Sequence, residues 1–264
     1  MIKFKTKSGQ WEITNPTIGQ YYKMQDWLIL SDKTDVQVKL VSILSGAPEE
    51  DLRSMDTDSF IKVWNQTALG PLNSLADKSF QKEIEIDDTK YGFITMSKLT
   101  VGELADMDVL KNHEQVSKQL HKMMAIMYRP LNADGTVSEY TSDNFDERAE
   151  LFLNKMPISY VTTAIDFFFS YYQSLLKQYV GLFDPDDDGD DAGSDGESTG
   201  RRDIKIARNW NQLIYFLAGD DLLRTDSCTK LKVTETFNFL AYKKDKARKE
   251  KIEMDKIKKS YNLK

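Results

Sequence analysis

The chain has 264 residues and a mass of 30.4 kDa, room for one large domain or two smaller ones at about 100–200 residues each. Its 40% hydrophobic and 30% charged residues supply both a core and a wetted surface, which excludes the disordered and fibrous classes. No apolar run approaches the ~18 residues that a membrane-spanning helix needs, and the net charge of −6 gives no reason to expect nucleic acid.

Charge is distributed unevenly. Residues 184–200 hold eight acids and no base, whereas residues 243–264 hold ten bases and four acids. The pattern is a near-neutral body with an acidic linker and a basic tail.

In chain order, Ile2-Lys-Phe4 and Trp11-Glu-Ile13 alternate in and out around Lys7-Ser-Gly9-Gln, as a β-hairpin requires. Met1-Ile-Lys-Phe-Lys5 has no apolar stretch behind its charges, so no secretory signal is expected. Thr17 then takes an N-cap position with Gln20 in the capping-box place, opening a helix through Ile18, Tyr21, Tyr22, Trp27 and Leu28. Val36, Leu40, Val41, Ile43 and Leu44 stripe a second helix, which Gly46 and Pro48 stop. A third helical stretch, 56–75, is broken at Gly70-Pro71.

From residue 82 the same plan starts again. Ile84 and Ile86 answer Ile2 and Phe4, Tyr91, Phe93 and Ile94 answer Trp11 and Ile13, and Thr100-Val-Gly-Glu-Leu104 answers Thr17-Ile-Gly-Gln-Tyr21. Ile126 stands opposite Ile43, Pro130 close to the Pro48 stop, and Asp143-Asn-Phe145 opposite Asp58-Ser-Phe60. The offset of 81–85 residues suggests a duplicated hairpin-plus-helices unit, with repeats at 1–75 and 82–182. The other reading is two similar motifs that arose separately.

A long helix from Ile158 to Phe183 carries Val161, Ile165, Phe168, Phe169, Tyr172, Leu175, Leu176 and Tyr179 at helical spacing. Phe168 and Tyr172 fall on the core-facing side. Phe167 and Tyr171 lie about a quarter-turn away, and this excess of rings makes Phe167, Phe168, Tyr171 and Tyr172 the candidates for contact with a partner or a second copy. Residues 183–202 have the composition of a self-repelling linker. Beyond them, residues 204–217 read as a helix ending at Gly219 and Val233–Tyr242 as another. Residues 243–261 are helical by propensity but nearly bare of apolar side chains, an exposed helix or fraying tail. The expected fold class is therefore mainly α with small β-hairpins: an N-terminal module at 1–182, a linker at 183–202 and a small helical C-terminal module at 203–264.

For chemistry the sequence offers little. Asp184, Asp186, Asp188, Gly189, Asp190 and Asp195 fall at positions 1, 3, 5, 6, 7 and 12 of a calcium loop. Asp191 stands where an apolar anchor belongs, and position 12 lacks the longer Glu, so the plain linker is the favoured reading. His113 and His121, eight apart on one expected helix, lack a third ligand at metal spacing. Cys228 is alone, which rules out an internal disulfide and a cysteine-built zinc site, and it has no neighbouring His to activate it. No phosphate loop or nucleophile elbow occurs. No enzyme activity and no cofactor are expected. The tail's bases alternate with acids, Asp245/Lys249 and Asp255/Lys259 at i,i+4, which favours a solvated helix over docking onto an acidic protein or nucleic acid.

The layout resembles the tail assembly chaperones of long-tailed bacteriophages. The residues that carry the resemblance are Trp11-Glu-Ile-Thr with Thr17-Ile-Gly-Gln-Tyr, Val41-Ser-Ile-Leu-Ser-Gly, Leu99-Thr-Val-Gly-Glu-Leu-Ala-Asp106 and Met124-Ala-Ile-Met-Tyr-Arg-Pro130. Ile214-Tyr-Phe-Leu-Ala-Gly-Asp220 and Phe237-Asn-Phe-Leu-Ala-Tyr-Lys-Lys244 complete the set. The resemblance implies a two-module factor, in many phages joined by a programmed frameshift. It would act in the host cytoplasm, coat the tape-measure protein, recruit tail-tube subunits and be absent from the mature virion. A long N-terminal part is the departure from a simple member. The alternative is a permanent ring, neck or cargo component of a virion, buried in a symmetric assembly.

Overall fold

In the computed structural model, which describes residues 1–29, 33–76, 80–141, 143–179 and 199–262, the alternation at the N-terminus pairs Ile2–Lys5 (β1) with Gln10–Ile13 (β2) antiparallel. Contacts group the chain into two compact units: residues 1–93 with 115–167, and residues 94–114 with 168–264. The fold is mainly α with two small antiparallel sheets, as expected.

In the first unit, Thr17 caps Ile18–Leu28 (α1) through a reciprocal box. The Gln20 N–H donates to Thr17 Oγ1 at 3.2 Å, and the Thr17 N–H donates to Gln20 Oε1 at 3.0 Å. The Gln20 side-chain amide also donates to the carbonyls of Ile43 and Leu44, at 3.3 and 3.1 Å. One side chain thus satisfies orphan groups at the start of α1 and the end of Thr34–Ser45 (α2). Gly46, at φ +77°, ends α2 in the left-handed conformation that costs glycine least. Glu49–Arg53 (α3) and Thr57–Thr67 (α4, capped by Asp56) close over Phe4, Ile13, Met24, Leu40, Val41, Leu52 and Phe60, the core of this region. Pro71, which has no N–H to give, lies in a π-helical turn, Ala68–Leu72, that replaces the break expected at Gly70-Pro71.

Glu83–Ile86 (β3) and Thr89–Phe93 (β4) form the second hairpin around Asp87 and Asp88, both at positive φ, where short polar side chains are tolerated. A third strand was not expected. Leu120–Met127 (α6) buries Met123–Met127 all round, and the chain then leaves the helix as Tyr128–Pro130 (β5), which pairs with β4. The proline disfavours helical torsions at Arg129, so the residue before it extends and the open edge of β4 takes it. Phe145–Lys155 (α7) and Ser159–Gln178 (α8) follow.

The start of α1 is clasped by the loop between α7 and α8. The Ile18 N–H donates to the Met156 carbonyl at 3.0 Å and the Ile158 N–H to the Pro16 carbonyl at 2.8 Å. Gly19 makes this approach feasible, since a Cβ there would lie 2.9 Å from the Leu153 carbonyl oxygen.

The second unit repeats the device. Thr100 caps Val101–Lys111 (α5) with Glu103 in the box. The loop between Thr225–Thr229 (α10) and Val233–Asn262 (α11) clasps it: the Val101 N–H donates to Leu231 and the Val233 N–H to the Leu99 carbonyl, both at 2.9 Å. A Cβ on Gly102 would meet Thr229 Cβ at 3.1 Å. The match of Thr17-Ile-Gly-Gln to Thr100-Val-Gly-Glu therefore extends to the segments that receive them, Met156–Ile158 and Leu231–Val233. The first of these lies inside the expected 82–182 repeat and the second outside it. The division at 183–202 follows chain order, whereas α5 packs against Thr199–Ala218 (α9), α10 and α11.

The helix expected to carry both histidines is interrupted. α5 ends at Lys111 and a 3-10 turn, Val116–Lys118, precedes α6, so His113 lies in the bend after α5 and His121 on α6.

Candidate partner-binding surface

Along α8, Val161, Ala164, Phe168, Tyr172 and Leu175 are buried, a stripe at three- and four-residue spacing. Phe168 has no exposed surface and meets Phe169 edge-on at 5.4 Å. The Lys111 ammonium lies over the Phe169 and Tyr172 rings, 4.9 and 5.8 Å from their centroids. Burial, and then the Asp108 charge, push the Tyr172 phenol up to about 12. Phe168 and Tyr172 are interior residues of the second unit.

Phe167, one residue earlier, belongs to the first unit. It is 47% exposed, yet it stacks on Phe80 with centroids 4.9 Å apart and meets Phe93 edge-on at 5.6 Å. Part of the ring that the sequence offered to a partner is engaged at home. Tyr171 is half-buried, and its phenol pKa is raised by burial first and by Tyr179 second.

The larger apolar surface lies further along the chain, in the second unit. Trp210, Leu213 and Phe216 on α9 and Phe237, Leu240, Lys243 and Lys244 on α11 line an open cleft of about 430 Å³. Both walls are single helix faces, since 210, 213 and 216 and 237, 240 and 244 recur every three or four residues. Trp210 is anchored at its polar end, its indole N–H donating to Asp108 Oδ2 at 3.0 Å. Tyr179 bonds Asn238 at 2.8 Å and meets Phe237 edge-on at 5.3 Å, fixing the start of α11.

Exposed rings and aliphatic chains continue on the same helices. Phe216 is 57% and Tyr242 62% exposed, and Tyr215, Phe239, Ile252, Met254 and Ile257 are exposed as well. Leu222 and Leu223 protrude from the turn after Gly219. A monomeric protein seldom leaves so many large apolar side chains wet on neighbouring elements. The cleft is not legible in the sequence, because each of these residues, taken alone, fits an ordinary amphipathic helix.

The other candidates are simply placed. The calcium-loop aspartates, Asp184, Asp186, Asp188, Asp190 and Asp195, lie outside the described residues. Among the described residues no group of three or more His, Cys, Asp or Glu converges as a metal site, and no helix is long and apolar enough to cross a membrane. Cys228 is buried. His121 is half-buried, its Nδ1 3.1 Å from the Tyr22 hydroxyl, and desolvation holds its pKa below the usual imidazole value. No family model, curated protein or solved structure matches the chain.

Proposed function

We propose that the protein is a non-enzymatic assembly chaperone for the tail of a long-tailed bacteriophage, acting in the host cytoplasm. It holds the tape-measure protein during assembly and recruits tail-tube subunits through its C-terminal helices. The observation that carries this reading is the apolar cleft lined by α9 and α11, whose Phe216 is more than half exposed. A groove walled by two helix faces suits an amphipathic helix laid along it, with anchors at i, i+3/i+4 and i+7. Residues 184–198, which lie outside the described residues, have the acidic composition of a connector, and a tether raises the effective concentration of one binding surface near another.

Co-expression of the chain with the tape-measure and tail-tube proteins of the same phage, followed by affinity purification, tests the proposal. Retention of both by the wild type, and loss of one or both by Phe216→Ser/Tyr242→Ser in a folded background, is the expected result. Retention of neither by the wild type refutes it. Mass spectrometry of purified mature particles separates the alternative, because a permanent ring, neck or cargo component remains in the virion and a chaperone does not.

A further inference from the structure

We propose that the α9–α11 cleft selects an amphipathic helix with an acidic polar flank, a specificity that deepens the reading above and rests on it. The cleft's length fits such an occupant. From Trp210 to Phe216 and from Phe237 to Lys244 the walls advance six and seven residue steps, about 9 to 10.5 Å at 1.5 Å per step. That is two helical turns, the span between i and i+7.

Charge then narrows the class. Lys243 and Lys244 belong to the lining itself, and the Lys243 ammonium is drawn over the Phe239 ring, 5.4 Å from its centroid, at the edge of the apolar surface. Beyond them α11 carries Lys246, Arg248, Lys249, Lys251, Lys256 and Lys258, exposed, against Asp245, Glu250, Glu253 and Asp255. Of these acids Glu250 is in reach of Lys246, at 3.8 Å with both side chains largely wet, an arrangement that neutralises little. A helix seated in the cleft and running on along α11 therefore lies in a positive field. Acidic flanking residues gain from it, and basic ones are repelled.

The same field opposes a second copy of this chain, whose own α11 would bring like charge to the contact. The apolar lining, Trp210, Leu213, Phe216, Phe237 and Leu240, sets the cleft apart from a phosphate-binding surface, because covering it is favourable only with apolar groups, which a phosphate lacks.

Two labelled 18-residue peptides decide the matter. Both carry Leu at i, i+3, i+4 and i+7; one has Glu at its polar positions and the other Lys. Fluorescence anisotropy against the full chain should show the Glu peptide binding at least tenfold tighter than the Lys peptide, the gap narrowing as salt is raised. Phe216→Ser, at a largely exposed position that leaves the fold intact by circular dichroism, should weaken the Glu peptide tenfold or more. Lys243→Glu/Lys244→Glu should abolish or invert the preference even if Phe216→Ser disturbs the helices. Equal binding of both peptides overturns the proposal. So does a cleft-dependent homodimer in light scattering, or competition for the cleft by duplex DNA or anionic phosphatidylserine vesicles where the Glu peptide fails. Co-purification of tape-measure and tail-tube proteins, run with the same variants, keeps the two readings separable. If those proteins are still captured while the peptides show no charge preference, the specificity is wrong and the chaperone role stands.

Discussion

Phe167 and Phe168 are neighbours in sequence on α8 but belong to different units, and truncating each should damage a different half of the protein. Phe168 is wholly buried, so Phe168→Ala loses its transfer energy and leaves a cavity, about 3–5 kcal/mol. Phe167 is 47% exposed, so about 100 Å² of the ~150–250 Å² such a ring can bury is covered, worth about 2–3 kcal/mol at 25 cal/mol/Å². Its pairs with Phe80 and Phe93 are included in that range. Amide hydrogen exchange by mass spectrometry reads where each loss falls. Phe168→Ala should speed exchange along the second-unit part of α8 and in α5, whose Lys111 lies over the rings of its neighbours Phe169 and Tyr172. Phe167→Ala should do so in the β3–β4 hairpin that carries Phe93. If Phe167→Ala leaves the hairpin's protection unchanged, the stacking on Phe80 and Phe93 contributes nothing and the ring belongs to a partner surface after all.

Gly19→Ala and Gly102→Ala should each destabilise by about 1–3 kcal/mol through overpacking, overriding the ~1 kcal/mol that alanine normally gains over glycine in a helix. Gly70→Ala, with nothing within 4 Å of the added carbon, should not destabilise, and thermal melts of the three compare them directly. His121, depressed by burial, binds protons less readily folded than unfolded. Stability should therefore fall as pH drops below about 6.5, and His121→Gln should flatten that slope in urea titrations. Burial of the Tyr22 phenol, which raises it to about 12, has the opposite sense, so stability should fall as pH climbs from 10 towards 12, and Tyr22→Phe should reduce that loss, the part left belonging to the other buried phenols such as Tyr172. The Asp51 carboxylate accepts from the Ser8 and Thr6 hydroxyls and the Ser8 N–H, and these bonds hold its pKa below the usual carboxylate value. A carbon-13 NMR titration should place its midpoint under 3.8, and Thr6→Ala/Ser8→Ala should bring it back up.

Local rules sufficed for much of the fold. The hairpin at 2–13, both capping boxes, the stop at Gly46 and the apolar stripe of α8 were legible because each depends on side chains within a few residues of one another. The likeness of Thr17-Ile-Gly-Gln to Thr100-Val-Gly-Glu was visible too. What those motifs grip was not, because Met156–Ile158 and Leu231–Val233 lie more than 120 residues away. β5 was hidden for a similar reason: a three-residue strand has no periodicity of its own and exists because β4 offers an edge. The cleft is the sharpest case. Trp210, Phe216, Phe237 and Leu240 each look like core residues, and only the placing of α9 and α11 around one cleft decides that their apolar faces stay partly open. Amphipathicity states which side of a helix avoids water; how much of that side its neighbours cover is a property of the packed chain.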